Sequence, residues 1–508
     1  MHGELPESKN DSPPPPPGVA WYKTLTRYHW FVLSVAALGW LFDCLDQQLF
    51  VLARPAAMKS LIAERETPQA TASARRLGGD IATSIFIAGW ACGGLFFGML
   101  GDRWGRAKTM VITILLYSLF TGLSAISTGL WDFAFYRFLT GLGVGGEFAV
   151  GVALVAEVMP NHARPYTLGL LQALSALGNI SAAFINLGLG IAEEHGLPAS
   201  PWRIMFLIGA LPALLALVIR AKLKEPEQWT KASHDNVVGK QLGSYTALFS
   251  DPVWRKHAIL GLILGCSGII GLWSVGFYTP DLIREVQKKG VSLTIFADKA
   301  DEAAKAGLSD VAASWRAIAD AEQSNVQLSS ELSTLRDSSN AAINGQLSRW
   351  SSYTSLMINV GAFFGMFSFG ALSQRIGRKP TFALAFLAAF VTTVSVFGFL
   401  REFWQIFVMV PIMGFCQLSL FGGYAIYFPE LFPTRLRSTG TSFCYNVGRF
   451  LAALGPLVKA GLDSGFANAG YHGTDALRYS GMTMCLVFLV GLFVLPFLPE
   501  TRGRPLPE

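Results

Sequence analysis

Gly98-Met-Leu-Gly-Asp-Arg-Trp-Gly-Arg-Ala-Lys108 is the stretch that decides the fold of this chain. An apolar run from Ile81 to Met99 leads into it and another, Thr109 to Thr128, leads out. Two membrane-crossing helices joined by a tight hairpin would carry Asp102, Arg103, Arg106 and Lys108 at the tip. The chain repeats the pattern at Gly370-Ala-Leu-Ser-Gln-Arg-Ile-Gly-Arg-Lys379. Gly98, Leu100, Arg103, Gly105 and Arg106 match Gly370, Leu372, Arg375, Gly377 and Arg378, while Gln374 stands where Asp102 would. A second pair falls in the same register. Glu157-Val-Met-Pro-Asn-His-Ala-Arg164 recurs as Glu430-Leu-Phe-Pro-Thr-Arg-Leu-Arg437, and each copy follows its own hairpin by about sixty residues. Two repeats in register imply a duplicated fold.

Composition agrees with a chain dissolved in lipid. Apolar residues make up 52% and charged residues 15%, with a mean hydropathy of +0.41, whereas soluble proteins carry roughly 25% charged residues. The net charge of +6 lies in short loops between apolar runs, so it does not call for a nucleic-acid partner. All six cysteines, Cys44, Cys92, Cys266, Cys416, Cys444 and Cys485, lie inside apolar runs, so neither disulfides nor a metal site is expected. No cofactor is expected, and no nucleotide loop or nucleophile arrangement that would make the chain an enzyme is present.

Twelve runs approach the roughly 20 residues needed to cross a bilayer. The first six cover 28–52, 80–100, 109–129, 131–157, 166–191 and 203–221. The second six cover 257–280, 352–372, 381–400, 404–427, 438–461 and 479–498. The expected fold is an all-α membrane protein of twelve transmembrane helices in two pseudo-symmetric six-helix halves, 28–221 and 257–498. A linker, 222–256, joins them. A proline-bearing tail, 1–27, is expected to be disordered, and 499–508 forms a short second tail. The hairpins and the basic 222–256 loop share a side with both termini, and the positive-inside rule makes that side cytoplasmic. The 54–79 loop, with Arg54, Lys59, Arg65, Arg75 and Arg76, runs against the rule. The stretch 285–350 is polar and lies on the opposite side. Val311, Trp315, Ile318 and Ala319, then Leu328, Leu332 and Leu335, fall at helical spacing, so it is expected to form a solvated helical hairpin.

Charges inside spans are the functional candidates, because inserting one costs at least about 2.5–3.5 kcal/mol. Asp43 and Asp46 lie in the first span, Arg137 and Glu147 in the fourth, and Arg449 in the eleventh. Asp46 and Arg137 fall at similar depth. Arg449 suits a solute carboxylate, since a guanidinium can bind one bidentately, or it is the counter-ion of Asp43 or Glu147. Gln172, Asn179, Asn359, Gln417 and Asn446 are at mid-depth and are candidates to line a cavity or to bond helix to helix.

The twelve spans, the duplicated halves and the G-x-L-x-D-R-x-G-R-x-K hairpin resemble the major facilitator superfamily. Pro429-Glu-Leu-Phe-Pro-Thr-Arg435, Leu498-Pro-Glu-Thr-Arg-Gly503 and Lys224-Glu-Pro-Glu-Gln-Trp229 look like sugar-porter signatures. Trp21-Tyr22 with Asp43-Cys-Leu-Asp46 is more similar to the sialate and aromatic-acid proton symporters, which usually read Asp-Gly-Phe-Asp there; Cys44 and Leu45 depart from that pattern. The resemblance implies alternating access, with Asp46 and Arg137 as a proton-coupling pair and Asp43 and Glu147 as further candidates. It implies a gate built from Gly98, Asp102, Arg103, Gly105, Arg106, Glu157, Arg164, Gly370, Arg375, Gly377, Arg378, Glu430 and Arg437. Within it, Asp102 is expected to accept from amide groups at a neighbouring helix start, and Arg103, Arg106, Glu157, Arg164, Glu430 and Arg437 to pair across the halves. The expected protein is a monomeric, multi-pass transporter of the plasma (inner) membrane. It would move a small organic acid with a proton. A sugar or polyol, or a transport-inactive sensor on the same fold, are the alternatives.

Overall fold

The structure is a computed structural model that describes residues 20–64, 66, 68–194, 200–214, 222–235, 242–276, 279–324, 326, 328–452, 455–471 and 474–507. Ten helices among them are long and apolar enough to cross a membrane. They account for ten of the twelve expected spans. Of the other two, span six begins as helix Pro201–Ile208, and residues 215–221 lie outside the described residues. Span eleven is described as Arg437–Ala452 and Gly455–Asn468, and residues 453 and 454 lie outside the described residues. Large side chains such as Leu119, Phe184, Phe364, Val391 and Phe493 are exposed on the outer surface, where a bilayer would solvate them.

The two halves repeat one packing scheme. Span two (Pro68–Trp104) runs against span four (Leu130–Val158), and a Cβ on Gly93 would lie 1.9 Å from the carbonyl oxygen of Leu142. Span eight (Asn340–Ile376) runs against span ten (Met409–Glu430) in the same way. There a Cβ on Gly361 would lie 1.9 Å from the oxygen of Pro411. Small residues let backbones approach this closely in a membrane, where packing rather than hydrophobicity holds helices together. At each hairpin the chain turns through a residue with positive φ, +107° at Gly105 and +103° at Gly377. A side chain is strained in that backbone region.

Several boundaries differ from the sequence expectation. Residues 1–19, with the Pro13–Pro17 run, lie outside the described residues. The rest of the tail is folded: Trp21–Thr24 forms a 3-10 helix, with Trp21 stacked on Tyr166 at 5.4 Å. The linker contains helices Glu227–His234 and Tyr245–Ser250. Span seven starts at Pro252, where Asp251 caps the amides of Val253 and Trp254.

The 285–350 insertion is more than a hairpin. Helices Thr279–Lys305, Ser309–Ser324 and Ser330–Asp337 join the first turns of Asn340–Ile376. Val291, Phe296, Trp315, Ile318, Ile343 and Leu347 form a core of their own, backed by Leu328, Leu332 and Leu335. Val311, expected to share that face, is 39% exposed. Trp350 stacks on Phe403 at 4.0 Å and seats the insertion on the 400–407 segment.

Candidate functional site

The hairpin face is closed by a buried charge network. Asp102 sits at the end of span two and accepts from the amides of Ser438 (3.1 Å) and Thr439 (2.8 Å) and from Thr439 Oγ1 (2.6 Å). Those amides open helix Arg437–Ala452, so an anion meets the positive end of a helix in the other half. Arg106 bonds Asp102 (2.8 Å), Glu157 (2.9 Å) and the carbonyls of Gly101 and Thr434. Arg437 reaches across from the second half to the same Glu157 oxygen at 2.6 Å. Gly98 makes the approach possible, since a Cβ there would lie 2.4 Å from Ser442 Cβ. Gly370 does the same against the Pro165 oxygen, also at 2.4 Å.

The second hairpin keeps its charges within its own half. Arg378 pairs with Glu430 through Nη2 (2.9 Å) and Nε (3.1 Å), and Gln374 accepts from Arg378 Nη1 (3.1 Å). Glu430, expected to pair across the halves, instead holds Arg378 and accepts from Thr501 Oγ1. Arg103 donates to the carbonyl of Leu242, and Arg164 to the carbonyl of Ala156 and to Asn161. Neither forms an ion pair among the described residues. Their nearest acceptors are backbone and amide oxygens, which the sequence spacing does not reveal. Arg375 is exposed.

Two glutamates escaped the sequence reading. Glu225 accepts from the amides of Ala107 and Lys108, and Glu500 from those of Arg378 and Lys379. Each caps the helix that leaves a hairpin. Their shared Glu-Pro or Pro-Glu context in the two quoted runs was the available signal. Burial opposes charge on Glu500, but the amides of Arg378, Lys379 and Arg502 outweigh it and hold its carboxyl below the usual range.

A second charged group is buried inside the first half. Asp46 accepts from Thr121 Oγ1 (2.7 Å), and its other oxygen lies 3.6 Å from Arg137 Nη1. Arg137 also donates to Ser124 and Thr140 and lies over the rings of Phe206 (4.7 Å) and Phe50 (5.7 Å). Glu147 accepts from Thr113 Oγ1 (2.6 Å), and its free oxygen abuts Gly39. Asp43 is 1% exposed and its carboxyl has no hydrogen-bond partner among the described residues.

A cavity of about 430 Å³ opens between the halves toward the insertion face, within the roughly 300–1,000 Å³ usual for small-molecule sites. Trp40, Cys44, Gln47 and Gln48 of span one line it, with Trp90, Gln172, Asn179, Asn359, Tyr445 and Arg449. Asn179 bonds Asn359 across the two halves at 2.9 Å. Arg449 lies over Trp90 (4.1 Å) and Tyr445 (4.5 Å) and donates to Tyr445 O and Asn446 Oδ1. No ion pair joins it to Asp43 or Glu147 among the described residues, so the counter-ion expectation is not met. Two other candidates stand behind the wall. Gln417 donates to Thr393, and Asn446 is taken up by Gly145 O, Ser442 and Arg449. Depth along a helix does not say which face a residue occupies.

The chain is 27% identical over 95% of its length, and 94% of the relative's, to a protein of Cupriavidus pinatubonensis described as a probable 4-methylmuconolactone transporter. It is 26% identical to the sialic acid transporter NanX of Escherichia coli, over 93% and 96% of the two chains. The solved proton:xylose symporter XylE superposes with a TM-score of 0.65 at 16% identity, over 94% of this chain and 98% of that one. The family model described as "Sugar (and other) transporter" matches residues 48–240 and 314–501. The chain belongs to the sugar (and other) transporter family, and it is a multi-pass membrane transport protein of the major facilitator fold rather than an enzyme.

Proposed function

We propose that the protein is a proton-coupled symporter of a small organic acid. The observation that carries this is the division of labour on helix Arg27–Leu61. One face of it presents Trp40, Cys44, Gln47 and Gln48 to the cavity, and another turns Asp46 toward Arg137. A movement of this helix that admits solute also makes or breaks the ion pair. A carboxylate held by a guanidinium stays charged, whereas one left in a dry interior takes up a proton. Solute binding need only bias which arrangement is populated. Asp43 and Glu147 are placed as accessory proton sites. Arg449 is assigned to the solute carboxylate, assisted by Gln172, Asn179 and Asn359. The hairpin network of Asp102, Arg106, Glu157 and Arg437 forms the gate, with Arg378 and Glu430 bracing the second hairpin. In this reading the hairpin face is cytoplasmic, in the plasma membrane, and the single chain is the transporting unit.

The relatives named for muconolactone and sialic acid agree with an acid, as does Arg449, a cation on the cavity wall that forms no ion pair among the described residues. A sugar or polyol is the second reading, favoured by the amides and by Ser351, Ser352 and Ser355 on the same wall. The test is Asp46→Asn in proteoliposomes. Accumulation driven by a pH gradient is expected to vanish while solute exchange continues. Proton-dependent accumulation by the variant would refute the coupling assignment.

A further inference from the structure

The arginine that crosses the seam has three donor groups, and each goes to a different place. Arg437 Nε donates to Pro429 O (3.2 Å), Nη1 to Glu157 across the seam (2.6 Å) and Nη2 to Pro507 O (2.9 Å). The duplication provides an internal control. Arg164 holds the matching position of the first half, and its Nε donates to Ala156 O (2.8 Å), the residue that matches Pro429. Its Nη2 goes to Asn161 Oδ1 of its own turn (2.6 Å). The residue matching Asn161 is Thr434, which has no amide side chain and whose carbonyl is occupied by Arg106. The second half therefore lacks the local acceptor that holds Arg164 in place, and the 499–507 segment supplies one from outside the turn.

That segment is itself firmly seated. Tyr427 donates to Pro499 O (2.5 Å), Glu500 caps the helix after the second hairpin, and Thr501 donates to Glu430 (2.5 Å). Leu506 is 8% exposed. Pro505 and Pro507 flank it, and their rings restrict the backbone, so little flexibility is lost on docking.

We infer that residues 504–507 are a positioning strap for the gate: Leu506 anchors the segment, and the Pro507 carbonyl fixes Arg437 so that its other arm stays on Glu157. This goes beyond the proposed transport function. Among the described residues the strap's hydrogen bond goes to Arg437 of the second half, so it acts on closure through that side chain. Without it, the long side chain gains rotamers that do not reach Glu157.

The test uses the full chain with spin labels at Lys108→Cys and Ile376→Cys, one beside each hairpin, after Cys92→Ser. Removal of residues 504–508 is expected to raise the ratio of separated to closed hairpins about tenfold, the scale of losing one charge-assisted hydrogen bond. Leu506→Asp in the full-length chain is expected to do the same, which covers the case in which the shortened chain folds poorly. In a Glu157→Gln background neither change is expected to add anything, because the strap has no partner left to serve. An unchanged distance distribution in both variants overturns the inference. So does an equal shift in the Glu157→Gln background, which would mean that the segment acts elsewhere. If the unmodified protein's hairpins never separate with solute or pH, it is the alternating-access reading that fails.

Discussion

The two hairpins have nearly the same sequence pattern and do different work. Both turn through a glycine at positive φ, both hold an arginine–glutamate pair at 2.9 Å, and both have a remote glutamate capping the next helix. Among the positions at which they differ, Asp102 against Gln374 sets their roles apart. Asp102 leaves its own half to accept from the first amides of helix Arg437–Ala452, whereas Gln374, among the described residues, bonds its neighbour Arg378 alone. The shared parts build a rigid corner. The unshared carboxylate makes one corner a latch, because an ionised acceptor gains from a helix terminus what a neutral amide oxygen does not.

Glu157→Gln should have the largest effect. It strands both Arg106 and Arg437, and breaking a buried pair from one side costs about 3–5 kcal/mol. Hairpin separation, read by the same spin labels, should rise sharply. Glu430→Gln should lower the melting temperature but change the separation far less, since its ion pair lies within one half and the new amide oxygen still accepts from Thr501. Equal separation in the two variants would erase the contrast.

Asp102→Asn comes next. It removes the charge from three hydrogen bonds and from one ion pair, and the closed population should fall about tenfold. The converse exchange, Gln374→Asp, should leave uptake within about twofold, because among the described residues that position accepts from Arg378 of its own half and from no backbone amide across the seam. A comparable loss of uptake from both would show that the hairpins are equivalent after all.

Gly105→Ala and Gly377→Ala test the shared corner. Each should destabilise by about 1–2 kcal/mol, the cost of a side chain in the left-handed region. Chemical denaturation should find the two alike; a large disparity would mean that the corners are not built alike.

The smallest effect is the cap. Glu500→Gln should cost about 1 kcal/mol or less. The carboxyl of Glu500 is held below its ordinary range when folded, so its contribution is complete above the unfolded value of about 4.3 and is lost as pH falls through the lower folded value. A melting-temperature difference between wild type and Glu500→Gln should therefore shrink below about pH 4. A difference that persists there would assign the effect to packing.

Much of this was written in the chain. Apolar runs of bilayer length, the repeated glycine and arginine spacing and the in-register glutamates established the fold class and the duplication, because lipid forces every backbone to satisfy itself within a helix. The charged residues inside spans could be picked out one by one, since each is costly enough to need a reason. Their partners could not. Arg103 and Arg164 are expected to cross the seam and instead bond carbonyl and amide oxygens, and of the two roles open to Gln417 and Asn446, lining the cavity or bonding helix to helix, the structure shows the second. The sequence states how deep a residue lies, but not the rotation of its helix about its own axis. Only the packed structure decides that Asp46 turns from the cavity toward Arg137, that Asp102 meets a helix start more than three hundred residues later in the chain, and that Pro507 reaches Arg437. These are contacts between surfaces that close packing brings together, and no periodicity along one helix records them.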